Sequence, residues 1–186
     1  DEQRGFIGKN SDEIHEVIGL KYVIREPEQV RGKRVVTVDD SNIRGITAGG
    51  DPLNNGTEDS VKKTKGYIAL LREAGAAEVH AVFALSKFVN GCDMGYYIRK
   101  DQLVAVAKGE DGKYEILDEQ QIAKRIGADS VYYMSVNAID SLYEWAYGEK
   151  GIGCMACMGQ PHPLDMIETK SNDLKKETLG YSNLGD

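Results

Sequence analysis

Val35-Val36-Thr37-Val38-Asp39-Asp40-Ser41-Asn42-Ile43-Arg44-Gly45-Ile46-Thr47 is the stretch that decides the fold. Four β-favouring residues run directly into two adjacent acids, and a short Ser/Arg/Gly/Thr loop follows. This is the form of a buried parallel strand that stops at a ligand site, because open α/β sheets bind ligands at the carboxyl ends of their strands. A loop of this composition can turn several backbone N–H groups toward one point, which suits a phosphate. The acids Asp39 and Asp40 can accept hydrogen bonds from vicinal sugar hydroxyls, or hold Mg²⁺ directly or through water. A ribose phosphate offers both the diol and the phosphate. The plainer alternative is a solvated turn in which Asp40-Ser41 caps a helix.

Working outward, residues 1–13 are polar and glycine-containing, as expected of a mobile lead-in, and His15 to Ile24 has the apolar content of an extended segment or strand that Arg25-Glu26-Pro27-Glu28 breaks. Downstream, Ala48-Gly49-Gly50-Asp51-Pro52-Leu53-Asn54-Asn55-Gly56 has loop composition. A helix is expected from Glu58 to Arg72, ended by Ala74-Gly75, and Glu78 to Val82 is the next parallel strand, completing a βαβ unit. His80 in that strand, like His15, is expected to be packed or hydrogen-bonded rather than catalytic. Residues 99–107 and 118–126 are expected to be helical around a turn at Glu110-Asp111-Gly112. Val131 to Ser135 is expected as a strand, and Asn137 to Tyr147 as an amphipathic helix. Tyr132, Tyr133 and Trp145 are expected to pack in the core or at an interface. The tail after Pro163 is polar and expected to be partly disordered. There is no internal repeat.

The chain of 186 residues suits one domain with a real core, and 41% hydrophobic with 28% charged residues is ordinary for a soluble globular protein. A net charge of −7 without a strong Lys/Arg cluster argues against nucleic-acid binding. No apolar run approaches the roughly 20 residues needed to cross a membrane. No signal peptide is visible, so a cytoplasmic protein is expected, and the missing initial Met suggests a fragment or a processed chain. Three cysteines cannot all pair with one another, which speaks against a disulfide framework. Cys154-Met155-Ala156-Cys157 has the spacing of a metal, cluster or redox pair, and Cys92 would be a third ligand if its loop folds onto that segment. Zinc on Cys92, Cys154, Cys157 and His162 competes with an iron–sulfur cluster, which ordinarily takes four cysteines.

The acidic stretch resembles the signature of the type I phosphoribosyltransferases, and most closely that of the amidophosphoribosyltransferases. Their pattern is a hydrophobic run, Asp-Asp-Ser, two aliphatics, Arg-Gly and two Thr. Asp39, Asp40, Ser41, Arg44, Gly45 and Thr47 match it, while Asn42 and Ile46 depart from an aliphatic residue and a Thr. Arg4-Gly5-Phe6-Ile7 is similar to the end of the family's flexible catalytic loop, with Gly5 in place of a Thr. Cys92 with Gly95, and Cys154 with Cys157, match three of the four ligands of the [4Fe–4S] cluster that many members carry. The fourth lies upstream of this chain in the family pattern.

The resemblance covers residues 4 to about 163, with an apparent insertion of roughly 16 residues at about 48–64. It implies an α/β fold, a partial type I phosphoribosyltransferase sheet with flanking helices. It further implies three segments: the lead-in 1–13, the carboxyl-terminal part of the phosphoribosyltransferase domain over 14–150, and the Cys-x-x-Cys segment with the polar tail over 151–186. Asp39 and Asp40 would bind the ribose hydroxyls and Mg²⁺, and Ser41, Arg44, Gly45 and Thr47 the phosphate. Cys92, Cys154 and Cys157 would bind the cluster, in a structural or oxygen-sensing role.

The implied reaction is the first step of purine synthesis. Ammonia from glutamine displaces pyrophosphate from phosphoribosyl pyrophosphate to give phosphoribosylamine. The amino-terminal glutaminase domain and the first half of the phosphoribosyltransferase sheet are absent, so no catalytic nucleophile is assignable and the chain alone is expected to be inactive. The family forms homotetramers and is inhibited by purine nucleotides. A non-catalytic ribose phosphate or nucleotide sensor of the same fold, and a zinc-stabilised structural module, are the two alternatives.

Overall fold

The computed structural model describes residues 22–49, 66–92, 98–150 and 153–163. In chain order its elements are α1 (Pro27–Val30), β1 (Arg34–Asp39), α2 (Ile46–Gly49), α3 (Tyr67–Glu73), β2 (Glu78–Phe83), β3 (Val106–Lys108), β4 (Tyr114–Ile116), α4 (Glu119–Ile126), β5 (Ser130–Tyr133) and α5 (Val136–Tyr147). Strands β1, β2 and β5 form a parallel sheet in that order, while β3 and β4 form a separate antiparallel hairpin. The architecture is thus a parallel sheet with flanking helices, as expected. None of the described helices is long and apolar enough to cross a membrane.

Alternation along the strands sets the layers. Val79, Ala81 and Phe83 of β2, with Val131 and Tyr133 of β5, point to the same buried side. There they share one apolar cluster with Ile68 and Leu71 of α3 and with Ile122 and Ile126 of α4. The opposite side carries Val36, Val38 and Tyr132, all exposed, so β1, at the edge of the described sheet, is not the buried strand expected from its composition. The register sets Asp39 beside Phe83 and Phe83 beside Tyr133, so the three strands end flush. Local signals fix the helix ends. Asp118 caps α4 by accepting the Gln121 N–H at 2.7 Å, while the Gln121 side chain accepts the Asp118 N–H at 2.9 Å. Gly127, at φ +79°, then terminates the helix.

Several expectations change. Residues 99–107 are not a helix: Lys100–Gln102 makes a single 3₁₀ turn and Val106–Lys108 enters the hairpin. Leu103, Val104, Ala105 and Val106 are all buried, a continuous run that periodicity alone cannot distinguish from a helix. The Glu110-Asp111-Gly112 turn is present and closes that hairpin, with Gly112 at φ +79°. Tyr22 to Ile24 are irregular rather than a strand, and Tyr22 packs edge-on against Tyr67 at 5.7 Å. The helix expected over 58–72 starts at Tyr67 among the described residues, because Gly66 is extended at φ −66°, ψ 165°.

The loop expected from Ala48 is helical at its start, since Ile46 and Ala48 are buried within α2. Trp145 is 85% exposed and Tyr132 64% exposed, so of the three aromatics only Tyr133 is in the core. The lead-in 1–13, His15, residues 50–65 with most of the apparent insertion, Gly95, and the tail beyond Pro163 lie outside the described residues.

Candidate functional site

Asp39 is the last residue of β1, so the acidic pair stands at the carboxyl edge of the sheet. The edge is stitched there by backbone bonds: the Ala84 and Leu85 N–H groups donate to the Asp39 and Asp40 carbonyls at 3.0 and 2.9 Å. The two carboxylates then diverge. Asp39 is half-buried and lines an open cleft of about 320 Å³ with Tyr22, Thr37, Tyr67 and Leu71. Its charge contributes to the environment of the Tyr67 phenol, which is pushed up to about 12, chiefly by burial, against the opposing hydrogen bond to Thr37. Asp40 is exposed. Its own N–H donates to Asp39 Oδ1 at 2.9 Å, and its Oδ1 accepts the Ser41 hydroxyl at 3.1 Å. No helix starts at this point, so the pair is not a helix cap.

The following loop is held by its carbonyl and side chains, while its N–H groups are left over. The Ile43 carbonyl accepts the Val104 N–H at 2.9 Å. Asn42 is buried, with its amide Nδ2 donating to the Tyr133 hydroxyl at 2.9 Å. The Arg44 guanidinium reaches Gln102 Oε1 at 3.4 Å, and its Nε is buried with no partner among the described residues. Burial draws the Arg44 pKa below its ordinary value. Gly45 turns the chain at φ +80°, the left-handed region where glycine carries no steric cost. Among the described residues, none of the backbone N–H groups from Ser41 to Thr47 has a hydrogen-bond acceptor. Buried and half-buried backbone donors are ordinarily paired, so a run of unpaired N–H groups beside a half-buried cation is suited to an anion.

The cysteines lie in a second place. The Val89 and Asn90 N–H groups donate to the Cys157 carbonyl at 2.8 and 3.0 Å, and the Asn90 side chain donates to the Ala156 carbonyl at 3.2 Å. These bonds dock the Cys154–Cys157 segment on the loop that carries Cys92, beside the small core of Phe88, Ile98, Leu103 and Val106. Cys157 is half-buried. Its thiol is pushed up by burial first, and then by the nearby Cys92 and Cys154. The loop of Cys92 and the Cys154–Cys157 segment are thus brought together, as a third ligand would require. Among the described residues, however, no three His, Cys, Asp or Glu side chains are grouped closely enough to hold a metal ion. His80 is hydrogen-bonded as expected, to Ser130 Oγ at 2.8 Å and Glu78 Oε2 at 3.1 Å.

Sequence reasoning did not anticipate Asn42–Tyr133, Gln102 or Val104 as supports of the loop. Asn42 carried a signal, since it is polar where the resembled pattern has an aliphatic residue. Gln102 and Val104 carried none, because their role depends on contacts with a loop about sixty residues earlier in the chain.

No protein-family model matches the chain. An amidophosphoribosyltransferase of Drosophila melanogaster is 33% identical over 144 residues, covering 73% of this chain and 22% of that protein. One of Methanocaldococcus jannaschii is 30% identical over 138 residues, covering 74% of this chain and 23% of that protein. The Bacillus subtilis protein of the same name is 28% identical over 141 residues, covering 75% and 24%. Among solved structures, the B. subtilis glutamine phosphoribosylpyrophosphate amidotransferase complexed with ADP and GMP aligns with a TM-score of 0.48 at 24% identity. That alignment covers 87% of this chain and 30% of that one. The chain spans about a quarter of the length of the curated relatives it matches.

Proposed function

We propose that this chain, a relative of the amidophosphoribosyltransferases over about three quarters of its length, supplies the ribose phosphate-binding strand end of such an enzyme. The full reaction would be displacement of pyrophosphate from phosphoribosyl pyrophosphate by ammonia from glutamine, giving phosphoribosylamine. One observation carries the reading: the unpaired N–H groups from Ser41 to Thr47 lie directly after two carboxylates at the end of a parallel strand.

In this scheme Asp39 and Asp40 accept hydrogen bonds from the ribose hydroxyls, each carboxylate having several lone-pair sites beyond those already used. Ser41, Arg44, Gly45 and Thr47 hold the 5′-phosphate through loop N–H groups, hydroxyls and the guanidinium. The work of these residues is positioning and charge stabilisation, since no covalent nucleophile is needed at the sugar. Mg²⁺, when bound at Asp39 and Asp40, would neutralise charge on the departing pyrophosphate. The remaining machinery, glutaminase included, would come from sequence outside these 186 residues.

Cys92, Cys154 and Cys157 are assigned as three ligands of an iron–sulfur cluster completed from elsewhere, with zinc as the competing metal. The docking of the Cys154–Cys157 segment on the loop of Cys92 supports this, and no step of the reaction runs through them. Anaerobic absorption with metal analysis decides it. On the chain expressed with its upstream sequence, about four irons per chain in a brown protein is the expected result, and one zinc in a colourless protein would replace the cluster. Residues 14–150 are taken as the phosphoribosyltransferase part, in a cytoplasmic homo-oligomer inhibited by purine nucleotides.

The direct test is titration calorimetry with ribose 5-phosphate. The Asp40 carboxylate makes only local bonds, to Ser41, so Asp40→Ala should keep the fold and lose binding by at least about tenfold. Equal affinity in the variant would remove Asp40 from the site.

A further inference from the structure

Asn42 is 4% exposed and is the one buried polar residue among the described residues. Its partner, the Tyr133 hydroxyl, belongs to the last residue of β5. Tyr133 is itself buried and stacked on Phe83, with ring centroids 5.2 Å apart and an interplanar angle of 26°. The loop after β1 therefore reaches past the end of β2 and is fastened to the strand beyond it. Two other ties, Val104 N–H to the Ile43 carbonyl and Arg44 to Gln102, come from the segment that leads into the hairpin. A loop whose N–H groups have no acceptor among the described residues is not fixed by them there. Its shape is set by whatever holds its carbonyls and side chains.

We propose that Asn42 is a positioning residue: through its hydrogen bond to Tyr133 it sets the geometry of the Ser41–Thr47 N–H groups for an anionic ligand, a role that rests on the ribose phosphate reading above. Asn42 acts through the loop and does not itself touch the ligand. The bond is specific to a polar residue at this position, since an aliphatic side chain would pack beside Tyr133 without selecting one orientation.

The test uses the full chain with Asn42→Leu, Tyr133→Phe and the double variant, reading ribose 5-phosphate affinity and thermal unfolding together. Each single variant leaves a buried polar group without its partner, and should lose both stability and about tenfold in affinity. The double variant buries no unpaired group, so its unfolding temperature should recover while its affinity stays low. Affinity that recovers together with stability would reduce the pair to an ordinary core contact and overturn the proposal.

Unchanged affinity in folded single variants would do the same. If Asn42→Leu does not fold, ¹⁵N relaxation on ligand-free Tyr133→Phe decides, since it removes one oxygen. Increased motion confined to residues 41–47 is expected, and unaltered motion there overturns the proposal. A wild-type chain that does not bind ribose 5-phosphate overturns the ligand reading itself, which the variants alone could not do.

Discussion

Single carboxylates in this chain do different work according to what surrounds them. Asp39 and Asp40 are adjacent in sequence, yet one faces a cleft with two tyrosines and the other faces solvent. Asp129 is purely architectural. It accepts the Val79 N–H at 2.5 Å and pairs with Arg72 at 2.6 Å, joining the start of β5 to β2 and α3. The Val79 N–H first, and Arg72 after it, hold the Asp129 carboxyl below the ordinary aspartate value. A carboxyl depressed on folding favours the native state while ionised. Its contribution is fully present above the ordinary value of about 3.9 and is lost as pH falls through the lower native value. Asp129→Asn should therefore have a lower urea midpoint than wild type at neutral pH, and the two midpoints should converge in acid. A constant gap across pH would mean that the ionised form contributes nothing.

Among the elements, the short α2 helix is decided by one contact. A Cβ placed on Gly49 would lie 2.7 Å from the Ile126 Cα, and the backbone of α4 cannot yield to it. Glycine at this position lets α2 lie directly on α4, which carries the end of the Ser41–Thr47 loop onto the core. Gly49→Ala should overpack the contact and cost about 1–3 kcal/mol of stability by chemical denaturation, without altering the strand pairing. A variant as stable as wild type would show that α2 can shift freely. The segment leading into the hairpin of β3 and β4 holds the same loop at Ile43. Arg125 Nη1 of α4 donates to the Val104 and Val106 carbonyls at 2.8 Å each, and Val104 in turn donates to Ile43. A helix and a hairpin are thus used together to hold one short loop.

At the scale of the whole molecule, the described residues cover the sheet on one side only. Val38 is 77% exposed and Val36 61% exposed, and Tyr132 shares their face. Parallel sheets ordinarily bury both faces, so an apolar strip of this kind favours association. The chain on its own should self-associate with concentration. Val38→Lys should reduce the sedimenting mass while leaving the circular dichroism unchanged. A chain that sediments as a monomer at all concentrations would contradict this.

Local sequence determined a great deal here. The run Val35–Val38 ending in two acids gave β1 and its orientation, Asp118 with Gln121 and Gly127 fixed α4, and alternation from Glu78 onward fixed β2. All of these depend on residues a few positions apart, where backbone preference and side-chain spacing act directly. The same local signals misread 99–107, because four successive buried residues carry no period. Tertiary structure alone decided which loop donors stay unpaired and how the Cys154–Cys157 turn docks beside Cys92. It also decided that Asn42 finds a hydroxyl 91 residues further along the chain. Such partners are chosen by how the strands pack and where each one ends, and no spacing in the sequence records that choice.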